Sequence, residues 1–211
     1  MRISLSPARP RRPVPVAVPH EGSLGDDELL VRIATGSQSA LAALMGRHGR
    51  GLRIFATRYL GHAADAEDVV QEVFVTVWKQ AARFDPGRGR ASTWLYRITA
   101  NRCIDQRRRR ALRNFFRLDD IGEEPAALEA DAEAATAARQ ELAIVRHGLC
   151  RLPARQRMAL LLRAVGDLDV GAIAEVMGTS VGSAEQLLVR GRRALRDHLA
   201  DAAAGRERKS S

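Results

Sequence analysis

Between residues 26 and about 113, apolar side chains recur at spacings of three and four, and no stretch alternates polar with apolar. A period near 3.6 turns one face of each segment inward as an α-helix and leaves a β-sheet nothing to bury. The chain is therefore expected to be all-α. Asp26, Asp27 and Glu28 place acids in a first helical turn ahead of Leu29, Leu30 and Ile33, where the helix dipole favours them. A second helix should follow Ser37 and carry Leu41, Leu44, Met45, Leu52 and Phe55 inward, bent or broken near Gly46, Gly49 and Gly51. A third runs from residue 63 to 84 and is closed by Asp85-Pro86-Gly87. The fourth takes Ser92 or Thr93 as its N-cap and runs into Arg107, Arg108, Arg109 and Arg110. Four helices sharing one core make a compact first domain over residues 23–114.

Beyond it the pattern lapses. Asp119, Asp120, Glu123, Glu124, Glu129, Asp131 and Glu133 face only Arg117, and Pro125 lies among them, so residues 115–134 are read as a flexible acidic linker. Helical periodicity returns near residue 135, and Leu152-Pro153 opens a further helix with proline near its first turn. Residues 170–177 make a brief helix, Gly178-Thr179-Ser180 a turn, and residues 181 to about 199 a longer, arginine-rich helix. A short helix, a glycine-bearing turn and a basic second helix form the pattern of a helix-turn-helix, which places the second domain over 135–200. Five of the eight prolines and Arg2, Arg9, Arg11 and Arg12 crowd residues 1–22, which are expected to be a disordered basic tail; residues 201–211 are read as a second one.

A net charge of +9 calls for a polyanionic partner, nucleic acid or a membrane surface. Cys103 and Cys150 stand 47 positions apart without clustered histidines, so neither a zinc site nor a disulfide framework is expected and both are read as core residues. No apolar run reaches the roughly 18 residues of a membrane span, nor is there a signal-peptide core, and a cytoplasmic protein without membrane insertion is expected. The five histidines are scattered, and neither a P-loop nor a serine elbow occurs. No enzymatic activity, cofactor, metal or small-molecule ligand is expected.

Two blocks carry the functional chemistry. On the third helix Val70, Val73, Val77, Ala81 and Phe84 form the buried stripe, which leaves Asp65, Asp68, Gln71 and Glu72 beside Val75 on the remaining face. That face is either simply solvated or a docking surface whose carboxylates hold arginines of a protein partner. From Lys79 to Arg117 twelve basic residues oppose only Asp85 and Asp105, a density suited to phosphates. Phe84, Trp94 and Tyr96 flank a loop containing Arg88 and Arg90, and aromatics beside arginines stack unpaired bases, although each could instead serve the core. Asn101, two turns beyond Trp94, could read a base edge or cap a neighbouring helix.

The order Asp65-Ala66-Glu67-Asp68, Gln71-Glu72-Val73-Phe74, Trp78, Arg83-Phe84, Ser92-Thr93-Trp94-Leu95-Tyr96-Arg97-Ile98, Asn101, then Leu152-Pro153 and Arg155-Gln156-Arg157 and the terminal helix-turn-helix, resembles the extracytoplasmic-function (ECF, group IV) sigma factors of bacterial RNA polymerase. It covers roughly residues 24 to 200. The resemblance implies an alternative sigma factor that binds core RNA polymerase through its β′ clamp and β subunits. Asp65, Asp68, Gln71 and Glu72 would form the polymerase-docking set, and Phe84, Arg88, Arg90, Trp94, Asn101 and Arg102 would melt the promoter −10 element. Arg155, Arg157, Ser183, Gln186 and Arg190 would read the −35 duplex. It further implies promoter DNA as partner, and control by an anti-sigma factor in a stress response. A linker of about twenty residues, with a root-mean-square reach of roughly 25 Å and a full extension of roughly 65 Å, would join the two DNA contacts.

The recognition helix departs from the family pattern. Gly182-Ser183-Ala184-Glu185-Gln186-Leu187-Leu188-Val189-Arg190 has Glu185 and Leu187 where cations are usual, and Val170 stands where an aromatic is common in the preceding helix. Two other readings compete. A stand-alone helix-turn-helix regulator accounts for the second domain but gives the two blocks of the first no purpose. A basic RNA-binding or membrane-surface protein accounts for the charge alone.

Overall fold

The computed structural model describes residues 21–116 and 137–210. Every regular element among them is helical. The basic tail expected before residue 21 and the greater part of the acidic linker lie outside the described residues.

The first domain begins with a 3-10 turn, Glu21–Ser23, followed by α1 (Asp26–Ala34), α2 (Gln38–Leu60), α3 (Ala63–Gln80), a second 3-10 turn (Ala81–Arg83) and α4 (Ala91–Phe116). Leu29, Leu30 and Ile33 of α1 are buried, as its periodicity requires. Ser37 caps α2 by accepting from the Ala40 amide, and it and Ser39 donate to the Glu21 carboxylate, which ties the entering chain to the helix start. Asp26 accepts from Arg47 at 2.8 Å and contacts His48 at 2.7 Å. Burial opposes its charge, yet those two partners hold its carboxyl below the ordinary carboxylate range.

Contrary to the expected break, α2 runs unbroken through Gly46, Gly49 and Gly51. Each glycine costs a helix interior about 1 kcal/mol, and the buried stripe of Leu44, Leu52 and Phe55 outweighs that local preference. Met45, expected inside, sits just off that stripe and is 44% exposed. The helix stops at Gly61, whose φ of 85° suits glycine and whose amide bonds the Thr57 carbonyl.

Val73, Val77 and Ala81 form the expected inner stripe of α3 and its extension, joined by Ala66, Val69 and Phe74, while Val70 is only partly buried. The helix ends at Gln80 rather than 84, and Phe84 follows in extended backbone. Nor does Ser92 or Thr93 cap α4: the helix starts at Ala91, whose amide donates to Asp27 of α1 at 3.1 Å. A cap supplied from 64 residues away leaves no local signature. On the far side α4 continues past residue 114 to Phe116.

The second domain comprises α5 (Ala137–Arg151), α6 (Ala154–Ala164), α7 (Val170–Met177) and α8 (Val181–Ser210). Asp169 caps α7 by accepting from the Ala172 amide; Gly178, at φ 58°, ends it; Ser180 caps α8 by accepting from the Ser183 amide. This is the expected helix-turn-helix. α8 does not stop near residue 200, because Ala200, Ala202, Ala203 and Ala204 are strong helix formers and carry it to Ser210.

The domains share one core, with α4 against α7 and α2 against α5 and α6. Phe55 is fully buried at its centre, edge-on to Tyr96 with ring centroids 5.4 Å apart. Phe55→Ala is expected to cost about 3–5 kcal/mol in urea unfolding, and Met45→Ala less than about 0.5. A comparable loss for Met45 would contradict the packing described.

Candidate functional site

α3 and α4 enclose an open groove of about 660 Å³ lined by Asp68, Gln71, Glu72, Val75, Thr76, Lys79 and Gln80 on one wall and Arg102, Gln106, Arg109 and Arg113 on the other. Of the four docking residues expected from the sequence, Asp68 and Gln71 are exposed on this groove. Glu72 also lines it but pairs with Arg102 at 3.4 Å and Arg109 at 3.8 Å. Asp65 is not part of the groove: it accepts from Gln106 at 2.9 Å and from Arg110 at 3.3 Å beneath α4. The acidic face is thus half neutralised by the next helix, and Val75 adds exposed apolar surface to the groove; Trp78 and Leu112 are exposed outside its lining. Leu112 was not picked out by the sequence reading and Trp78 entered it only as a motif position, although both are large apolar side chains off their helices' inner stripes.

The arginine run at the end of α4, read above as a phosphate-binding density, makes contacts within the protein although Arg107, Arg108 and Arg109 stay exposed. Arg107 lies over the Tyr59 ring at 5.8 Å, while Arg109 and Arg110 pair with the α3 acids. Arg102, assigned from the sequence to the promoter, turns to α3 as well and donates to Thr76 Oγ1 at 3.0 Å. The acids of α3 face the same flank of α4 and pair with it across a partly exposed surface, where each pair is weak.

A second cavity, about 410 Å³, lies between the second 3-10 turn, the loop after it and the start of α4. Arg83, Phe84, Asp85, Arg88, Gly89, Arg90, Trp94 and Arg97 line it. The half-buried rings of Phe84 and Trp94 stand 5.7 Å apart and tilted by 53°, which leaves an edge for a flat ligand. Four of the expected residues, Phe84, Arg88, Arg90 and Trp94, come together here, joined by Arg83 and Arg97. Arg97 follows Trp94 by three positions, a spacing that puts the two on one face. Tyr96 points the other way: it is 5% exposed, its hydroxyl donates to the Val165 carbonyl at 3.1 Å, and burial pushes its pKa up to about 12. Asn101 is exposed, which removes the buried-cap alternative, but it does not line the cavity.

On the second domain, Ser183, Gln186 and Arg190 are exposed on α8 and Arg155 on the first turn of α6. Arg157 departs from its expected role at the duplex. Its guanidinium donates to the carbonyls of Tyr59, Leu152 and Cys150, and burial lowers its pKa. A cation on the carbonyls at the end of α2 is favoured by the helix dipole, so Arg157 joins the two domains. Glu175 of α7 does the same from the other side, pairing with Arg97 at 3.2 Å and entering the aromatic cavity. Both cysteines are free; Cys103 is fully buried, and burial raises its thiol pKa to about 12, so it remains a thiol at neutral pH.

A helical domain carrying an acidic groove and a basic aromatic cavity, followed by a helix-turn-helix, defines a two-domain transcription factor. Residues 44–113 match the family model for sigma-70 region 2, and residues 142–195 that for sigma-70 region 4. The RNA polymerase sigma factor NccH of Alcaligenes xylosoxydans xylosoxydans is 34% identical over 171 residues, covering 79% of this chain and 90% of that protein. The ECF sigma factor SigW of Bacillus subtilis is 27% identical, covering 81% and 94%. The solved structure of CnrH in complex with the cytosolic domain of CnrY superposes with a TM-score of 0.62 at 32% identity, over 84% of this chain and 97% of that one. RpoE in complex with the anti-sigma factor NepR from Bartonella quintana has the same fold at a TM-score of 0.60 and 22% identity. The chain belongs to the sigma-70 family, as an ECF RNA polymerase sigma factor.

Glu175→Arg would set a cation against Arg83, Arg88, Arg90 and Arg97. It is expected to part the domains and raise the radius of gyration in X-ray scattering. Asp197→Arg, an equal change of charge on exposed α8, should leave it unaltered. Identical radii for wild type and Glu175→Arg would contradict the contact.

Proposed function

We propose that this sigma factor docks on core RNA polymerase through the exposed groove of α3 and opens promoter DNA at the basic aromatic cavity. The observation that carries this reading is the position of the two sites on opposite flanks of α4 in the first domain. A stand-alone regulator has no use for that pairing, and a general nucleic-acid binder has no use for the acidic groove. Asp68, Gln71 and Glu72 receive arginines of the polymerase clamp, and Val75 adds apolar contact. The polymerase competes with Arg102 and Arg109 for Glu72, so part of the docking energy goes into separating an existing pair.

At the cavity, Phe84 and Trp94 accept a base splayed from the melting duplex, and Arg83, Arg88, Arg90 and Arg97 hold the strand's phosphates. Extruding a base costs a few kcal/mol, and stacking returns roughly 1–3 kcal/mol per base, so the site captures a base that thermal opening has already exposed. Asn101, on the same side of α4 but outside the cavity, is placed for an adjacent base. Arg102 and Arg157 have positioning roles in this reading, and Asp65 fastens α4 to α3. Glu175 occupies the cavity's mouth, so the second domain moves off before DNA enters. That domain then reads the upstream duplex element with Ser183, Gln186 and Arg190 of α8, supported by Arg155. The chain itself performs no bond chemistry; it supplies recognition and base capture to the polymerase. Two of the solved relatives carry a bound partner, one of them an anti-sigma factor, and we infer that such a factor restrains this protein too.

The Asp68→Arg, Gln71→Arg double variant is expected to weaken capture of sigma-free core polymerase by about tenfold or more while retaining wild-type helicity. Trp94→Ala should leave core capture unchanged and reduce permanganate reactivity of the opened promoter. Undiminished core capture by the first variant, or normal opening by the second, would contradict the respective assignment.

A further inference from the structure

The outer face of the recognition helix has an arrangement that the family pattern does not supply. Ala184, Leu188 and Gly191 form the inner side of α8, where Gly191 is close enough to Leu160 that an added Cβ would lie 3.1 Å from it. With that side fixed, Val181, Glu185 and Val189 fall on an exposed stripe at successive turns, and the two valines are 50% and 63% exposed. Glu185 is exposed and has neither an ion pair nor a side-chain hydrogen bond among the described residues. Exposed valines flanking such a carboxylate contribute little to the fold. The stripe spans about 12 Å, the length of three to four base-pair steps.

The chemistry of each member limits what it can read. An ionised carboxylate only accepts. In the major groove, guanine and thymine present acceptors to it, and adenine sets an N7 acceptor beside its amine; cytosine offers its 4-amino group alone. Valine makes no hydrogen bond but packs on the 5-methyl group of thymine. A carboxylate near phosphates is also repelled by every sequence alike, and Arg190, Arg192, Arg193 and Arg196 on the same helix offset this. Glu185 therefore lowers affinity in general and lowers it least where a cytosine amine meets it.

We propose that Glu185 is a specificity-determining residue of this sigma factor, selecting a cytosine in the upstream duplex element, with Val181 and Val189 selecting thymine methyl groups on either side. This rests on the reading of α8 as the helix that enters the major groove. The test is selection from a fully randomised duplex library by holoenzyme reconstituted from the full chain and sigma-free core polymerase, with the bound species sequenced. Wild type should enrich cytosine at one upstream position with thymine nearby. Glu185→Ala should reduce that preference from about tenfold to below about twofold, leave the other positions intact and bind random duplex more tightly. Glu185→Gln should shift the same position towards adenine, because an amide pairs with adenine N6 and N7. An unchanged profile in Glu185→Ala, or no cytosine preference in wild type, would overturn the proposal. Parallel selections with Gln186→Ala and Arg190→Ala separate the two levels of failure. If they alter upstream positions while Glu185→Ala alters none, only the role of Glu185 falls; if none of the three alters any position, the role of α8 as reader falls with it.

Discussion

One helix, α4, has to satisfy three environments at once, and the rest of the molecule is arranged around that demand. Its inner stripe of Leu95, Tyr96, Thr99, Ala100 and Cys103 is buried. One flank supplies Arg102, Arg109 and Arg110 to the acids of α3, and the opposite flank presents Trp94 and Arg97 to the aromatic cavity. The ion pairs are partly exposed, and each contributes no more than about 1 kcal/mol. Burial of the stripe therefore holds α4 in place, and the charges decide which flank faces which neighbour. Rotating the helix by one position would expose Cys103 and place arginine in the core, so the orientation of both sites follows from the packing.

The same economy of residues appears between the domains. Arg157 lies on carbonyls at the end of α2, Tyr96 donates to the Val165 carbonyl, and Glu175 pairs with Arg97. Each contact uses a residue that also belongs to a proposed binding region or lies beside one. In the proposed function docking, base capture and domain separation are linked, because Glu72 of α3 already pairs with arginines of α4 and Glu175 lines the cavity proposed for DNA.

Much of the fold could be read from the sequence because it is local. The periodicity over α1 to α4, the glycine-bearing turn at Gly178 and the proline at residue 153 all act within a few positions of themselves. What escaped was long-range. Asp27 caps α4 across 64 residues, and the pairing of Asp65 and Glu72 needs α4 laid beside α3. A spacing rule could place Arg157 on a helix face but not on the Tyr59 carbonyl of another domain. The candidate sites divide in the same way: Phe84, Arg88, Arg90 and Trp94 lie near one another in sequence and meet in space, whereas Asn101 and Arg102, seven and eight positions beyond Trp94 on α4, fall outside their cavity. Met45 and the three glycines of α2 show the opposite error, in which a local preference was outweighed by a fully buried stripe.

Run-off transcription on genomic fragments, with sigma-free core polymerase and the purified chain, tests the central claim most directly. Transcripts with discrete start sites that require both components are expected, with an opened segment of promoter next to each start. Binding to duplex DNA without any stimulation of core polymerase would contradict that claim and would make the second domain the whole of the function.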